Sequence, residues 1–198
     1  MKTSMFLSAM LGLAIGAPAF AETTGWDLDP SHSEVGFSVR HMMVSNTKGK
    51  FQKFSGALNL DEKDPTKSTV EVSVDVASID TNDEKRDQHL RSPDFFEAEK
   101  FPQITFKSKS IKKAGKGFKV VGDLTMHGVT KEVTLDVESL SATVKDPWGN
   151  EKRGLVAKGK INRHDFKVSW NKALDAGGVV VGDDVTLTIE AEFTKKKA

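Results

Sequence analysis

Apolar and polar residues alternate with a period of two along most of this chain, the pattern of β-strands with one face in water. The first clear run has apolar residues at every second position from Val35 to Val39. Turn-forming residues follow at 45–49, and a second alternating run begins at Lys50. These features predict an antiparallel hairpin over about 33–62, with its turn at 45–49.

The same alternation predicts the later strands, and it is clearest from Val70 to Val76, where charged or small polar residues separate the valines. Further alternating runs occupy residues 102–107, 118–126, 129–138, 155–161 and 185–193. Turn residues such as His127-Gly128 separate them, so consecutive strands are expected to pair with each other.

One segment, residues 80–97, breaks the alternation. Asp80-Thr81-Asn82 predicts a helix cap, and 83–91 contains good helix formers. Ser92-Pro93-Asp94 ends the predicted helix, and the aromatic pair Phe95-Phe96 is its expected docking point on the sheet.

About eight main strands with short connections favour an antiparallel sheet that closes, because closure removes exposed edges. An eight-stranded barrel has an interior that side chains fill or that holds one small ligand. Glycines such as Gly122 and Gly159 lie within the predicted strands and either bend them or leave space inside. Periodicity alone favours a filled core, since every barrel or sandwich needs inward apolar residues.

Residues 1–21 have the pattern of a secretory signal peptide, with Lys2, an apolar run from Phe6 to Ala14, and the cleavage signature Ala19-Phe20-Ala21. The apolar run is short and interrupted, which argues against a transmembrane anchor. The chain has no Cys, so neither a lipoprotein anchor nor a disulfide is expected. We therefore expect one exported, periplasmic domain over 22–198.

Charge and candidate chemistry exclude several function classes. Without Lys2, 28 basic residues face 28 acidic ones, and this balance gives no support for a nucleic-acid partner. No histidine lies at a close metal-ligand spacing from another, and no G-x-S-x-G motif occurs. We therefore expect a protein that is not an enzyme, with no metal, no cofactor and no catalytic residues.

Several short motifs follow one another along the chain: Asp29–Ser33, Phe37–His41, Gly49–Phe51, Phe54–Gly56, Arg86–Ser92, Asp94–Phe96, Phe101–Phe106, Gly122–Lys131 and Ile161–Phe166. In this order they resemble the YceI-like family of polyisoprenoid-binding, lipocalin-like proteins, over essentially the whole chain after the leader. Family members often have glycine where Lys167 stands, a difference that concerns local turn geometry.

The resemblance implies an all-β fold: an extended antiparallel eight-stranded lipocalin-like barrel with a short helical insert. It also implies an elongated apolar pocket for a polyisoprenoid or similar long-chain amphiphile, such as an isoprenoid quinone or a fatty amide. A homodimer and transient membrane contact for cargo exchange are further expectations. Two alternatives stay open: a periplasmic enzyme that acts on a quinone or lipid head group through the histidines, and a stress-response structural barrel with a filled interior.

Alternation selects the apolar residues expected to line the pocket, and these are Phe37, Val39, Phe54, Val72, Val74, Ile104, Phe106, Leu124, Val133, Leu135, Leu187 and Ile189. Three cationic or titratable residues, Arg40, His41 and Arg163, are the candidates to meet a polar head group. For these three, a place on the surface or in a hydrogen-bond network is an equally open prediction.

Overall fold

The computed structural model describes residues 23–175 and 177–197. The predicted signal peptide and its cleavage site lie outside the described residues. Within the described ranges, no helix is both long enough and apolar enough to cross a membrane.

The described residues form twelve strands and one α-helix. The strands are β1 (Thr23–Leu28), β2 (Glu34–His41), β3 (Ser45–Phe51), β4 (Phe54–Asp61), β5 (Thr69–Asp75), β6 (Ile79–Asp80), β7 (Gln103–Ala114), β8 (Gly117–Met126), β9 (Val129–Leu140), β10 (Val144–Lys145), β11 (Glu151–Asn162) and β12 (Val181–Lys195). The helix, α1, spans Glu84–Arg91 and follows β6.

Eight strands close into an antiparallel barrel in the order β11-β9-β8-β7-β5-β4-β1-β12, and β12 pairs back with β11. This closing pair runs in unbroken register from Lys152↔Thr194 to Asn162↔Asp184. The predicted eight-stranded antiparallel barrel is therefore confirmed. The other edge of β12 pairs with β1 near its C-terminal end and with β2 along the rest of its length.

Strands β1 to β4 form a long bent hairpin. Its first arm is β1 followed by β2, its second arm is β3 followed by β4, and β2 pairs with β3 while β1 pairs with β4. A 3-10 turn at Pro30–His32 separates β1 from β2, and Asp29 caps it by accepting a hydrogen bond from the Ser31 N–H at 3.0 Å. Pro30 has no N–H to give to a sheet, which suits it to this break. Both halves of the hairpin contribute to the wall of the barrel.

The turn predicted at 45–49 is wrong, because β2 reaches His41 and turns at Met42–Met43. Residues 45–49 belong to β3, where Gly49 pairs with Phe37 of β2. A Cβ on Gly49 would lie 2.4 Å from Cζ of Phe37. This glycine therefore makes room for an aromatic ring rather than for a turn.

The helix lies where the sequence placed it, but its cap is Asp83 rather than the segment Asp80–Asn82. The Asp83 carboxylate accepts a hydrogen bond from the Arg86 N–H at 3.1 Å. Phe95, in the loop after the helix, is 6% exposed and packs 5.1 Å from the ring of Trp170. The aromatic pair thus docks the helical insert on the barrel, as expected.

Candidate ligand cavity

An apolar cavity of about 260 Å³ lies inside the barrel. Native cores contain few voids larger than a water molecule, so a space of this size means that the interior is hollow. Because they border empty space, several inward-facing side chains are only half-buried: Phe37, Val39, Phe54, Val72, Val133, Leu135, Leu187 and Ile189.

All twelve apolar residues selected from the alternation pattern line this cavity. Each lies on a strand of the wall, where alternation sends one set of side chains to the interior and the next to solvent. The structure therefore brings them together, while contact with a ligand stays a prediction.

The cavity is elongated along the strands. On β12, every second residue from Val185 to Phe193 lines it, and on β8 the lining residues are Phe118, Val120, Leu124 and Met126, in the same register on either side of Gly122. The eight residue-to-residue steps from Val185 to Phe193 span about 27 Å at the rise of an antiparallel strand. The space therefore suits a chain-like ligand better than a compact one.

One end of the barrel is densely packed around Trp26, which is fully buried. Leu60 and Phe193, each 2% exposed, belong to the same cluster, and the Arg153 guanidinium lies 5.5 Å from the centre of the Trp26 ring. Ala191 and Phe193 of β12 are buried here, whereas Leu187 and Ile189 are half-buried. The cavity is therefore narrowest beside the Trp26 cluster and wider further along β12, at Leu187 and Ile189.

Arg163 lines the cavity, but its guanidinium already donates to backbone carbonyls. Nη1 donates to Val168 O at 2.7 Å and Trp170 O at 2.9 Å, and Nε donates to Gly182 O at 2.9 Å. Burial lowers the pKa of Arg163, and Asp183 partly opposes that shift. The geometry assigns this side chain to holding loop backbone together, the network role left open above.

Arg40 and His41 are not among the cavity-lining residues. Arg40 is exposed, and its Nη2 donates to Met43 O at 2.8 Å. Alternation explains its position, because Val39 points inward and the next residue on the strand points out. The structure thus brings only Arg163 of the three predicted head-group residues to the cavity, and leaves Arg40 and His41 outside it.

Sequence reasoning missed several lining residues. Val35 and Val120 share a register with predicted residues, so the alternation pattern was able to find them. Phe95 and Phe96 come from the loop after the helix, where no alternation signal exists. Phe51, at the end of β3, places its ring 6.4 Å from that of Phe96 and so joins the loop to the wall.

Polar groups are sparse in the lining, which includes Ser33, Ser68, Arg163 and Glu190. Ser33 Oγ accepts from the Glu192 N–H at 2.9 Å, and Ser68 Oγ accepts from the Asp61 N–H at 3.0 Å. Backbone groups thus occupy both hydroxyls. Apolar contact is therefore the main interaction that this cavity offers.

The domain profile described as YceI-like domain matches residues 26–193. A UPF0312 protein of Serratia proteamaculans is 40% identical over 196 residues, covering 99% of this chain and 98% of that protein. The chain belongs to the YceI-like family.

Solved structures agree with this assignment. BcnA of Burkholderia cenocepacia superposes with a TM-score of 0.73 at 26% identity, over 83% of this chain and 98% of that one. A polyisoprenoid binding domain from Saccharophagus degradans gives a TM-score of 0.62 over 87% and 99%. Its identity is 16%, so this second likeness concerns the fold.

One group in this YceI-like barrel has the composition of a metal site: Asp29, His32 and Glu192. Lys152 already supplies the positive charge, with Nζ 2.7 Å from Asp29 Oδ2 and 3.0 Å from Glu192 Oε1. The hydrogen bond from Lys152 lowers the pKa of Asp29 to about 2. The group is thus an ion-pair network that ties the bend after β1 to β11 and β12.

The histidines of the YceI-like barrel lie at separate places. His89 Nε2 is 2.9 Å from Asp94 Oδ2, His164 Nε2 is 2.8 Å from Asp183 Oδ1, and the ring of His127 contacts Phe166 O. In the described part of the chain, no group with the geometry of a metal site contains two histidines.

Proposed function

We propose that this YceI-like protein binds and carries a polyisoprenoid or a similar long-chain amphiphile, such as an isoprenoid quinone or a fatty amide, in the cavity of its barrel. One observation carries the proposal: an elongated cavity with an almost wholly apolar wall inside a closed barrel. The name of the Saccharophagus degradans domain, which has the same fold, supports the isoprenoid class of ligand.

The cavity length favours a long hydrocarbon chain. The hydrocarbon core of a bilayer is about 30 Å thick, so one leaflet gives its chains about 15 Å. The lining of the cavity extends about 27 Å along β12, well beyond that depth. A chain longer than an ordinary fatty chain is therefore the better match.

Apolar burial supplies enough affinity without a charged anchor. Each buried methylene contributes about 0.8 kcal/mol, so one five-carbon isoprene unit contributes about 4 kcal/mol at most. Full burial of about 40 carbons would exceed the observed affinity limit of about 21 kcal/mol. Ordering of the tail offsets part of this energy, or the tail is enclosed only in part.

The proposed site of action is the periplasm, which rests on the leader pattern of residues 1–21. The hollow interior favours carriage over a structural barrel with a filled core. The dispersed histidines favour carriage over an enzyme acting through them.

The direct test is mass spectrometry of lipid extracted from the purified protein. The protein from which bound lipid has been removed, called the stripped protein below, is then titrated with an isoprenoid quinone. We expect a co-purified long-chain lipid and saturable uptake of the quinone. If the extract holds no such lipid and added quinone does not bind, carriage is wrong.

A pair of adjacent substitutions on β9 makes the test specific for the cavity. Val133 lines the cavity, whereas Thr134 is exposed on the outer face. Val133→Trp fills part of the space and is expected to weaken quinone binding about tenfold or more. Thr134→Trp adds the same ring outside and should bind like the parent protein. Circular dichroism of both variants checks that the barrel is intact.

A further inference from the structure

The turn between β2 and β3 exposes three consecutive apolar residues. Met42 is 44% exposed, Met43 54% and Val44 76%. We call these residues the Met42–Val44 tip. Isolated exposed apolar residues are common on proteins, but three in a row at a projecting turn form a patch that needs a reason.

The backbone of the tip makes this choice of residues more unusual. Met42 has φ +48° and Met43 has φ +61°, the left-handed region that side chains other than Asn and Gly avoid. Each such residue costs about 1–2 kcal/mol. Asn-Gly would suit the turn better and would expose less apolar surface. The stability of the fold therefore does not explain why two methionines occupy this turn.

Within residues 35–51 of the hairpin that carries the tip, the charged residues are all basic. From Val35 to Leu60 the sequence contains no Asp or Glu but contains Arg40, Lys48, Lys50 and Lys53, although the whole chain has a net charge of only +1. Lys50 lies 3.8 Å from Glu34. Among the described residues, no carboxylate lies within ion-pair distance of Arg40 or Lys48.

Arg40 and Lys48 lie on the outer face of the same hairpin, because Val39 and its partner Thr47 occupy the inward register. The adjoining loop adds one charge of each sign, Lys172 and Asp175. The hairpin therefore presents Arg40 and Lys48 next to exposed apolar side chains, and the carboxylates that follow Gly182 on β12 are already paired, Asp183 with His164 and Asp184 with Lys160.

The tip is also close to the wall of the cavity. Its backbone is fixed there, since the Met42 N–H donates to Val180 O at 2.8 Å. The neighbouring residues Val39 and Val181 both line the cavity, and Val181 pairs with His41. A surface that held the tip would thus lie beside the cavity end opposite the Trp26 cluster.

We propose that the Met42–Val44 tip docks this protein on an anionic lipid bilayer. The apolar side chains enter the boundary between head groups and acyl chains, while Arg40 and Lys48 face lipid phosphates. This inference rests on the proposed carriage for its purpose, because docking would let a hydrocarbon tail pass between bilayer and barrel without crossing water.

Flotation of the stripped protein, without its leader, with phosphatidylglycerol-containing vesicles tests the proposal. We expect binding that falls with added salt and is weaker on pure phosphatidylcholine vesicles. The double variant Met42→Asn, Met43→Gly should bind the vesicles at least about tenfold more weakly than the parent, because it removes apolar area from the tip. It should also unfold at a higher urea concentration, so poor folding would not account for the loss.

Trp148 provides the matched control, because it is 83% exposed at the turn before β11. This turn is near the opposite end of the barrel, where Lys152 pairs with Thr194. Trp148→Ala should leave vesicle binding unchanged. Equal binding by parent and double variant, loss of binding in Trp148→Ala, or no binding by the parent would each overturn the proposal.

A second measurement separates this proposal from carriage itself. Quinone added from ethanol, without vesicles, should bind the double variant as tightly as the parent, while delivery from vesicles becomes slower. Failure of vesicle docking with normal quinone binding would overturn docking alone. Failure of quinone binding in the parent would overturn the carriage on which it rests.

Discussion

At the scale of single residues, Lys167 has a backbone conformation that glycine adopts more easily. Lys167 follows a short 3-10 turn and has φ +61° and ψ +14°, a left-handed conformation that favours glycine. Its N–H bonds to carbonyls of that turn, so the conformation is held by the fold. A glycine at this position, which the resemblance implies for the family, would adopt the same conformation without strain.

Replacing this exposed lysine should stabilise the protein. We expect Lys167→Gly to raise the free energy of unfolding by about 1 kcal/mol, because the left-handed strain disappears. Lys167→Ala keeps the strain and should change stability by less than about 0.5 kcal/mol. Urea unfolding of the three proteins checks this. A glycine variant no more stable than the alanine variant would contradict it.

The ion pair of Asp29 with Lys152 gives a prediction about pH. The folded-state pKa of Asp29 is about 2, below the ordinary value of 3.8, so folding favours the ionised carboxylate. Its stabilisation is complete above about pH 4 and is lost as the pH falls towards 2. We expect Asp29→Asn to cost about 1–2 kcal/mol at pH 7 and almost nothing near pH 2.

The control for that experiment is Asp27, which pairs with Lys196 at 3.2 Å on an open surface. Exposed ion pairs contribute about 0–1 kcal/mol, so Asp27→Asn should have a small effect at both pH values. Unfolding by urea at pH 7, 4 and 2 provides the comparison. If Asp29→Asn costs the same at all three, the carboxylate charge is not the cause.

At the scale of elements, the β2–β3 hairpin shows how packing can override a turn signal. The segment 45–49 has the composition of a turn, yet it pairs with β2 as a strand. The turn falls on Met42–Met43, which no turn preference selects. Local composition predicted the turn wrongly because Gly49 is needed for a different reason: it leaves space for the ring of Phe37 on the paired strand. That contact exists only once β2 and β3 have paired.

Gly49→Ala tests this explanation. The new Cβ would lie 2.4 Å from Phe37 Cζ and 2.7 Å from Thr81 Cγ2, so both side chains must move. We expect a loss of about 2 kcal/mol in the free energy of unfolding, typical of overpacking. Gly154→Ala on β11 is the control, since its nearest neighbour would be 3.7 Å away. Equal effects of the two substitutions would contradict the explanation.

At the scale of the whole molecule, the hollow interior makes the stability of the folded barrel depend on bound ligand. A ligand that binds only the folded barrel stabilises it by about 2.7 kcal/mol when its free concentration is 100 times its Kd. We therefore expect isoprenoid quinone to raise the unfolding midpoint of the stripped protein and to leave that of Val133→Trp nearly unchanged. Thermal unfolding at several quinone concentrations measures both. A concentration-independent midpoint for the parent would contradict the prediction.

The sequence alone determined the inward face of each strand. Alternation depends only on the geometry of one strand, so it identified twelve lining residues without knowledge of the partners. It also indicated the number of main strands and the helical insert, because turn and helix signals are local. The linked motifs pointed to the YceI-like family, which the comparisons then showed.

Only the tertiary structure decided whether the interior was filled or hollow, since inward apolar residues have the same pattern in both cases. That question depends on how far apart opposite walls stand, which β12 sets by pairing with β11 on one edge and with β1 and β2 on the other. Tertiary packing also decided that Arg163 binds loop carbonyls. These are properties of strands brought together from distant parts of the chain, and no local pattern records them.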